Sequence, residues 1–381
     1  MIASLHRSHE INALQKLLKG FPVTAILGPR QSGKTFLAGQ LGASHYFDLE
    51  NPRDMAKLEA PQTLLENLRG LIVVDEIQRL PELFPLLRYL VDRKQRQKYL
   101  ILGSASPDLL RQSSETLAGR IAFYPLGGLM PWDVKSDALP KLWLRGGFPR
   151  AYLAKSTEQT FIWLENYIRT FLERDIPQLG ISIPANTLRR FWMMLSHYHG
   201  QILNHAELAR SFGISDMTVR KYTDILEGTF MVRLLRPWFN NTGKRLVKQP
   251  KIYLRDSGIF HALMSIGSQN QLLSHPKLGA SWEGFALECV TKSLNKLPAE
   301  LFFWSTHSGA EVDLFWKHRG KHWGIEFKFT DAPVKTKSMQ VAVQDLELSR
   351  LWVVYPGRDR YSLGPKIEAL PLEQIGSVWN Y

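Results

Sequence analysis

One stretch near the amino end constrains this sequence more than any other, because it matches the phosphate-binding pattern G-x-x-x-x-G-K-[ST] at every fixed position. The eight residues of the match are Gly28, Pro29, Arg30, Gln31, Ser32, Gly33, Lys34 and Thr35. The apolar run Val23–Leu27 precedes them, and the helix-compatible residues Phe36–Ala38 follow. A strand, a glycine-rich loop and a helix start are the context that the motif requires, so the sequence predicts a loop that cradles phosphates.

Lys34 and Thr35 carry the chemistry of this loop. The glycines let backbone N–H groups curl around β- and γ-phosphate oxygens, and the start of the following helix adds partial positive charge. We expect Lys34 to lie against the phosphates and the Thr35 hydroxyl to bind Mg²⁺. A glycine-rich loop with a lysine can also be a mere turn, but the second half of a nucleotide site appears downstream.

That second half is an acidic pair behind a buried strand. The four apolar residues Leu71–Val74 are followed by Asp75 and Glu76, as expected for a parallel strand whose carboxyl end opens onto a site. Asp75 is predicted to hold Mg²⁺, directly or through water, and Glu76 to orient and polarise the attacking water. A third strand ends in small polar residues, with Ser104 as the predicted γ-phosphate sensor and Ser106 as its rival. Together these parts predict an NTP hydrolase.

Composition bounds what else the chain can be. Its 381 residues are enough for two or three domains. No apolar run approaches the roughly 20 residues of a membrane span, and the first residues lack the long apolar segment of a secretory signal. Cys289 is the single cysteine, which excludes an internal disulfide and favours a buried packing role. We therefore expect a cytoplasmic protein with no membrane partner.

The order of predicted elements gives the fold class. Strands and helices alternate in the first third of the chain, which predicts an α/β fold, a P-loop NTPase with a three-layer parallel sheet. This AAA-type ATPase domain is assigned to residues 1–130, and a helical connector or lid to residues 131–186. A winged helix-turn-helix is predicted at 187–250, and a further α/β domain at 251–381.

Two arginines, Arg111 and Arg120, follow the predicted sensor strand closely. In multimeric ATPases an arginine so placed often reaches a neighbouring subunit's nucleotide, where it stabilises charge that develops on the transferred phosphoryl group. Arg120 is the predicted arginine finger, and an ordinary surface arginine is the alternative. A finger that acts between subunits requires a homo-oligomer.

The formal net charge of +13 and a pI near 9.7 point towards a polyanionic partner, most simply DNA. In residues 187–250, two helices, the tight turn Phe212–Ile214 and a third helix in the recognition position resemble a winged helix-turn-helix. The predicted nucleic-acid contacts are Arg220, Lys221, Arg233, Lys244 and Arg245. The alternative is a module that only packs between domains.

Ionisable residues inside two very apolar strands mark the last domain. The segments Glu311–Trp316 and Trp323–Phe329 are predicted to form a β-hairpin. Asp313 lies on the first strand, and Glu326 and Lys328 share one face of the second. Burying such groups is costly unless they pair with one another or bind a metal. A salt-bridged edge hairpin is the alternative to a metal site.

With Glu283 on the preceding helix, the pattern Asp…Glu-x-Lys is a metal-nuclease constellation. Asp313 and Glu326 would hold Mg²⁺ or Mn²⁺, Glu283 would join them, and Lys328 would position or activate the attacking water. The sequence therefore raises the prospect of a second metal ion in the C-terminal domain.

The whole chain resembles the bacterial and archaeal AAA-superfamily ATPases that carry a C-terminal PD-(D/E)XK nuclease-like domain. The matching stretches, in order, are GPRQSGKT, LIVVDEIQRLPEL, LILGSAS, LAGR, GGFP, LERDI, WEGFALECV, EVDLFW and IEFKF. The resemblance implies ATP as the nucleotide. The residues it carries onto the two motifs are Lys34, Thr35, Asp75 and Glu76, and then Glu283, Asp313, Glu326 and Lys328. Val312 stands where the family name has proline.

We therefore expect a Mg²⁺-dependent ATPase that binds or remodels duplex or branched DNA, with a C-terminal domain that either cuts DNA or binds it as a retired nuclease. The first alternative is an ATP-driven signalling or regulatory switch that acts on a protein partner. The second alternative is a protein-remodelling motor, which would need a substrate-gripping pore loop. The sequence has no clear aromatic-glycine loop after the second strand.

Overall fold

The computed structural model describes residues 7–93, 97–104, 115–239 and 247–378. The chain divides into two compact units. The first unit comprises residues 1–134, 148–150 and 228–230, and the second comprises residues 135–147, 151–227 and 231–381.

The first unit alternates strands and helices, as the sequence predicts. In chain order its strands and helices are α1 Ser8–Gly20, β1 Val23–Gly28, α2 Lys34–Gly39, β2 His45–Asp48, α3 Pro52–Lys57, α4 Pro61–Asn67, β3 Gly70–Asp75, α5 Leu83–Asp92, β4 Gln97–Ser104 and β5 Ile121–Pro125. Within the described ranges the five strands lie in the order β2-β3-β4-β1-β5, and every neighbouring pair is parallel. The predicted parallel α/β sheet is confirmed.

Side chains of successive residues in this sheet pack into two different cores. On β3, Ile72 and Val74 contact the core that includes Leu87 of α5. Val73, between them, contacts the opposite core, which includes Leu37 of α2. Because both faces of the strand are covered by helices, the strand reads as a continuous apolar run, and only its carboxyl end is free to carry polar groups.

The second unit begins with helices and ends in a large mixed sheet. From residue 135 onward the helices are α6 Leu139–Arg145, α7 Pro149–Tyr152, α8 Thr157–Thr170, α9 Ile176–Gln178, α10 Ala185–His197, α11 His205–Phe212, α12 Asp216–Gly228, α13 Ser257–Leu263, α14 Gln269–Ser274, α15 Leu278–Leu294 and α16 Lys337–Asp345. Its strands are β6 Gln201–Ile202, β7 Val232–Pro237, β8 Lys251–Leu254, β9 Leu301–Ser305, β10 Glu311–His318, β11 Lys321–Phe327, β12 Leu348–Tyr355, β13 Tyr361–Gly364 and β14 Ile367–Pro371. In the part of the chain that the structure describes, no helix is both long and apolar enough to span a bilayer.

One continuous sheet joins the middle of the chain to its end. Its strand order over the described residues is β13-β14-β12-β11-β10-β9-β7-β8-β6. Strands β10 and β11 form the predicted antiparallel hairpin, with Leu314 opposite Ile325. Strand β7 is antiparallel to β8 on one side and parallel to β9 on the other, where Arg236 lies opposite Phe302. The strands of the middle and last segments therefore share backbone hydrogen bonds.

One helix differs from its prediction. The helical pattern over 158–175 predicts a single α-helix, but α8 ends at Thr170 and the chain continues as a π-helical turn, Phe171–Asp175. Pro177 follows two residues later. Proline has no N–H to donate and its ring crowds the carbonyl four residues earlier, so the regular hydrogen-bond ladder cannot continue through it. The wider turn before Pro177 accommodates this break.

Candidate functional site

The glycine-rich loop joins β1 to α2 at the carboxyl edge of the parallel sheet. At Gly28, a Cβ atom would lie 2.2 Å from the backbone oxygen of Leu126. Gly33, the residue before α2, has a φ of 94°, in the left-handed region that favours glycine. The first glycine of the motif is therefore required by a close approach, and the second by its backbone conformation.

Replacing Gly28 by alanine is expected to weaken ATP binding roughly tenfold or more. The added methyl group would meet a backbone carbonyl, and overpacking of this kind costs about 1–3 kcal/mol. Titration with a fluorescent ATP analogue measures the change. Gly39→Ala is the matched control, because nothing lies within 4 Å of a Cβ atom built there. Equal affinity losses in the two variants would contradict this explanation.

Lys34, Thr35 and Asp75 meet beside the loop. Lys34 is 6% exposed, and its ammonium donates hydrogen bonds to the carbonyl oxygens of Gly28 and Pro29, each at 3.0 Å. The Thr35 hydroxyl donates to Asp75 Oδ2 at 2.7 Å. Because Asp75 ends β3 and Thr35 lies in the first turn of α2, the fold brings together the two halves of the predicted nucleotide site.

The Asp75 carboxylate has a second donor that the sequence reasoning missed. The hydroxyl of Tyr46, on the neighbouring parallel strand β2, donates to Asp75 Oδ2 at 2.5 Å. Burial raises the pKa of the Tyr46 hydroxyl, and the hydrogen bond and charge of Asp75 raise it further. Tyr46 therefore remains a donor at any ordinary pH. The sequence feature that could have indicated this contact is a tyrosine in β2, the strand that precedes β3 in the chain.

Glu76 follows β3 directly, with a φ of 55°. This left-handed conformation is uncommon for residues other than glycine and recurs at functional sites. Glu76 Oε2 accepts a hydrogen bond from the side-chain amide of Gln78. Burial raises the pKa of Glu76, although the Lys34 ammonium acts in the opposite direction. A half-buried carboxylate with a raised pKa beside a phosphate loop is suited to accept a proton from water.

A buried arginine anchors the loop to the rest of the first unit. Arg7 donates from Nη1 to the Ser32 carbonyl oxygen at 3.2 Å and from Nη2 to the Gly128 carbonyl oxygen at 2.8 Å. It also forms ion pairs with Glu10 at 3.4 Å and Asp133 at 3.6 Å. The three charged side chains are at most 2% exposed. Arg7 thus connects α1, the loop and the segment after β5.

The side-chain oxygens beside the loop fit magnesium. Mg²⁺ prefers oxygen ligands and in proteins is commonly held by one or two side-chain oxygens together with substrate phosphates. Thr35 Oγ1 and Asp75 Oδ2 are adjacent oxygens of this kind. When bound with ATP, magnesium would neutralise part of the phosphate charge.

The other residues predicted for the nucleotide site lie in the loop and at the end of β4. Gln31 has a left-handed φ of 61° in the loop, and Arg30 forms a partly exposed ion pair with Glu50 at 3.4 Å. Strand β4 ends at Ser104, which lies opposite Gly28 in the register of β1 and β4. The sensor role of Ser104 stays a prediction, and its rival Ser106 lies outside the described residues.

Arg120, the predicted finger, is paired within its own unit. Its Nε donates to Asp92 Oδ1 at 2.6 Å and its Nη2 donates to Asp92 Oδ2 at 2.9 Å. The finger role stays a prediction, and it would require this bidentate ion pair to open. Arg111 lies outside the described residues.

A cluster of four acidic side chains and two lysines, called here the acidic cluster, lies in the second unit. Its members are Glu283 on α15, Glu311 and Asp313 on β10, Glu326 on β11, Lys251 on β8 and Lys328 just after β11. The fold therefore brings together all four residues predicted for the C-terminal site. Lys251 and Glu311 are additional members.

Lys251 lies among three of these carboxylates. Its Nζ atom is 3.3 Å from Glu283 Oε1 and 3.3 Å from Asp313 Oδ1, and it also pairs with Glu311. The Tyr253 hydroxyl donates to Glu283 Oε1 at 2.6 Å. The β8 residues Lys251 and Tyr253 were not predicted from the sequence as part of this site. A signal was present, because Lys251 is an ionisable residue in an apolar strand, as are the residues that marked the hairpin.

The other lysine pairs with the other carboxylate. Lys328 Nζ lies 2.8 Å from Glu326 Oε1, so these residues share a face as predicted. Burial raises the pKa of Glu326 to about 8, and the nearby Asp313 charge adds to this. Burial likewise raises the pKa of Glu283 to about 7, against the effect of Lys251. For Lys251 itself, burial would lower the pKa, but the surrounding carboxylates raise it well above its ordinary value.

The acidic cluster does not fit a resident metal ion in this arrangement. Over residues 7–93, 97–104, 115–239 and 247–378, no group of three or more acidic, histidine or cysteine side chains is arranged to hold a metal. The Lys251 ammonium already contacts two of the carboxylates predicted to bind such an ion, Glu283 and Asp313, and it also contacts Glu311.

The predicted nucleic-acid contacts have different surroundings. On α12, Lys221 is exposed, and Arg220 is exposed and pairs with Asp216 at 2.9 Å. The predicted exposure of Arg233 to DNA has to be corrected. Its side chain is only 12% exposed and binds the buried Glu288 carboxylate through two nitrogens. Burial and this partner make Arg233 part of an internal ion pair, which does not favour the predicted DNA contact. Lys244 and Arg245 lie outside the described residues.

Three family models match successive parts of the chain. An AAA domain matches residues 20–131. Two domains of unknown function follow, DUF8612 over residues 136–270 and DUF4143 over residues 278–375. The first match, together with the geometry of the loop, Asp75 and Glu76, makes the amino-terminal part an AAA-like ATPase domain of the P-loop type.

A solved structure with some likeness is the Walker-type ATPase PABY2304 of Pyrococcus abyssi. It is 15% identical, with a TM-score of 0.48, and the match covers 68% of this chain and 96% of that one. A TM-score this low does not establish a shared fold.

Two mycobacterial relatives match almost the whole chain. They are "Uncharacterized protein Mb2031c" of Mycobacterium bovis and "Uncharacterized protein Rv2008c" of Mycobacterium tuberculosis. Each is 48% identical over 372 residues, which are 96% of this chain and 84% of the relative. Identity at this level over nearly the full length shows common descent. The chain therefore belongs to the same protein family as Rv2008c and Mb2031c.

Proposed function

We propose that this protein is a Mg²⁺-dependent ATP hydrolase that acts on duplex or branched DNA. The observation that carries the hydrolase part is the hydrogen bond between Thr35 and Asp75, with Glu76 next in the chain and Lys34 on the loop. The AAA domain matched over residues 20–131 supports ATP as the nucleotide.

Each side chain has one task in the proposed hydrolysis. Lys34 exchanges its bonds to the loop carbonyls for bonds to phosphate oxygens. Thr35 and Asp75 would hold magnesium, which would balance phosphate charge. Glu76 orients the attacking water and accepts its proton as the oxygen bonds to the γ-phosphorus and ADP leaves. The Gln78 amide donates to Glu76 Oε2, which leaves Oε1 to accept the proton.

The order of elements in the middle segment supports a winged helix-turn-helix. Helix α10 leads through β6 to α11, and the turn after α11 contains Gly213 with a φ of 67°. Ser215 accepts a hydrogen bond from the Thr218 backbone N–H at 3.1 Å and so caps α12. Strands β7 and β8 then pair antiparallel, and β6 pairs with β8. In this arrangement α12 has the position of a recognition helix.

The exposed face of α12 supports contact with DNA. Met217, which is 79% exposed, lies one turn before Arg220 and Lys221 on this helix. Basic side chains of a recognition helix reach phosphates and base edges, and an apolar side chain can contact the thymine methyl group. We assign DNA binding to this helix and to the exposed Arg236 and Lys248, and we assign no cutting to the acidic cluster.

The double variant Arg220→Ala, Lys221→Ala tests the DNA part. It is expected to weaken DNA binding and to reduce the slope of log K against log[salt] by about two, because roughly one counterion is released for each phosphate contact. Fluorescence anisotropy with duplex and four-way DNA over a salt series measures both quantities. The control is Arg358→Ala, Lys366→Ala, which removes equal charge from exposed positions near the carboxyl end.

ATP turnover with and without DNA completes this test. Stimulation of the wild type by DNA, lost in the α12 variant and kept in the control, would support the proposal. Absence of DNA binding by the wild type at low salt, with no stimulation, would contradict it. The alternative would then be a regulatory switch in which ATP binding changes a contact with a protein partner.

The proposal includes a homo-oligomer, in which Arg120 reaches the nucleotide of a neighbouring subunit. The partly exposed side chain of Arg120 supports this, because its pairing partner Asp92 is itself exposed and such pairs open at little cost. Sedimentation of the protein with ATP would test for the assembly.

A further inference from the structure

We propose that the Lys251 ammonium is the resident cation of the acidic cluster, in the place where the family resemblance puts a divalent metal. This inference concerns the second unit alone and does not depend on ATP hydrolysis or DNA binding. It follows from the contacts of Lys251, from the donors that satisfy the carboxylates, and from the elements that the contacts connect.

Lys251 has the contacts expected of a central cation. Its side chain is 6% exposed, and its Nζ atom contacts Glu283, Glu311 and Asp313, which come from two different elements. An ammonium carries three N–H donors and no acceptor. Three donors and three carboxylate partners match in number, so the buried charge of Lys251 is fully paired, as a buried charge must be.

The chain itself supplies further donors to these carboxylates. The Tyr253 hydroxyl donates to Glu283 at 2.6 Å, and the Phe327 backbone N–H donates to Asp313 Oδ2 at 2.9 Å. Lys328 pairs with Glu326 at 2.8 Å. A divalent ion bound by Glu283 and Asp313 would have to take two of the three carboxylate partners of the buried Lys251 ammonium and leave it with Glu311 alone, which is costly.

The contacts of Lys251 connect three elements that are distant in sequence. Lys251 opens β8, which pairs with β6 and β7 of the predicted winged helix-turn-helix. Its carboxylate partners lie on α15 and on β10 of the last domain. The ammonium therefore fastens the winged segment to the C-terminal sheet. In this role the acidic cluster is a structural junction that needs no metal.

Binding of Mn²⁺ to the full chain tests this proposal. All samples carry Asp75→Asn, which removes a carboxylate of the ATP site, and binding is followed by the electron paramagnetic resonance signal of free Mn²⁺. With Lys251 present, no saturable binding is expected below about 1 mM. Lys251→Met is expected to gain one Mn²⁺ site per chain, and the further change Asp313→Asn is expected to abolish it. Lys317→Met, an exposed lysine of β10, is the matched control and is expected to gain none.

Two outcomes of the Mn²⁺ binding experiment would overturn the proposal. One is a single Mn²⁺ bound by the protein with Lys251 in place and lost with Asp313→Asn. The other is a folded Lys251→Met variant that binds no Mn²⁺, because the ammonium would then not occupy a metal's place.

Thermal melting gives a second measurement that does not require the variant to bind metal. Lys251→Met is expected to melt about 10 °C lower, because three carboxylates lose their cation. The melting temperature of the protein with Lys251 in place is expected to be the same with Mn²⁺ or with a chelator. If Lys251→Met does not fold, the melting temperature of the protein with Lys251 in place decides. A melting temperature that rises with Mn²⁺, and no longer rises after Asp313→Asn, would refute the proposal. A melting temperature that Mn²⁺ does not raise would support it.

Discussion

Replacing Glu76 by glutamine is expected to lower the rate of ATP hydrolysis by roughly 10²- to 10⁴-fold, the usual contribution of a positioned general base. Glutamine has nearly the same shape but cannot accept the proton of the attacking water. The Thr35–Asp75 contact and the loop stay unchanged, so ATP binding is expected to remain. Single-turnover hydrolysis and equilibrium ATP binding, measured side by side, separate the two effects.

The control for this experiment is Glu59→Gln, which removes an exposed glutamate from the same unit. It is expected to leave the hydrolysis rate unchanged. Normal turnover in Glu76→Gln would remove Glu76 from the chemistry. A parallel loss of ATP binding would indicate that Glu76 supports the loop rather than the reaction.

Replacing Arg7 by methionine is expected to destabilise the first unit by about 3–5 kcal/mol, the usual cost of breaking a buried ion pair from one side. Glu10 and Asp133, both 0% exposed, would lose their cationic partner. The Ser32 and Gly128 carbonyls would lose donors as well, so ATP binding is expected to weaken. Hydrogen exchange of the β1 and β4 amides reports this unit separately from the second.

The matched control is Arg93→Met. Arg93 also pairs with a glutamate of the first unit, but that pair is exposed, with Arg93 at 51% and Glu66 at 29%. Exposed pairs contribute about 0–1 kcal/mol, so little change is expected. Equal protection of the β1 and β4 amides in Arg7→Met and Arg93→Met would refute the anchoring role of Arg7.

The nucleotide site could be predicted from the sequence because its geometry is local. A strand, two glycines and a helix start fix the loop backbone, and the acidic pair Asp75-Glu76 follows directly from the end of an apolar strand. The hairpin that carries Asp313, Glu326 and Lys328 is local in the same way, since alternation along two adjacent strands decides which side chains share a face.

Contacts between distant residues could not be predicted in this way. Arg7 reaches Gly128, Tyr46 reaches Asp75, and Lys251 reaches Asp313 only because of the strand order and the long connections between strands. No periodicity in the sequence specifies that β7 lies next to β9, and without that pairing the position of β8 is undetermined.

The burial of charged side chains could not be predicted from the sequence either. Arg233 lies in a basic stretch of the sequence, which favoured a DNA contact, but its partner Glu288 is 55 residues away and lies on α15. A count of positive residues does not distinguish a side chain that faces solvent from one that neutralises an internal carboxylate. Arg220 and Lys221 could be assigned to the exposed face of their helix from the sequence, because helical spacing separates the exposed face from the buried one.

The parallel pairing of β7 with β9 has a practical consequence for dissecting this protein into fragments. A fragment that stops before residue 251 would leave both edges of β7 without their neighbours β8 and β9. Bare strand edges recruit other chains and promote aggregation. Any fragment that contains β7 should therefore also contain β8 and β9, and insolubility of pieces that lack them would say nothing about their activity.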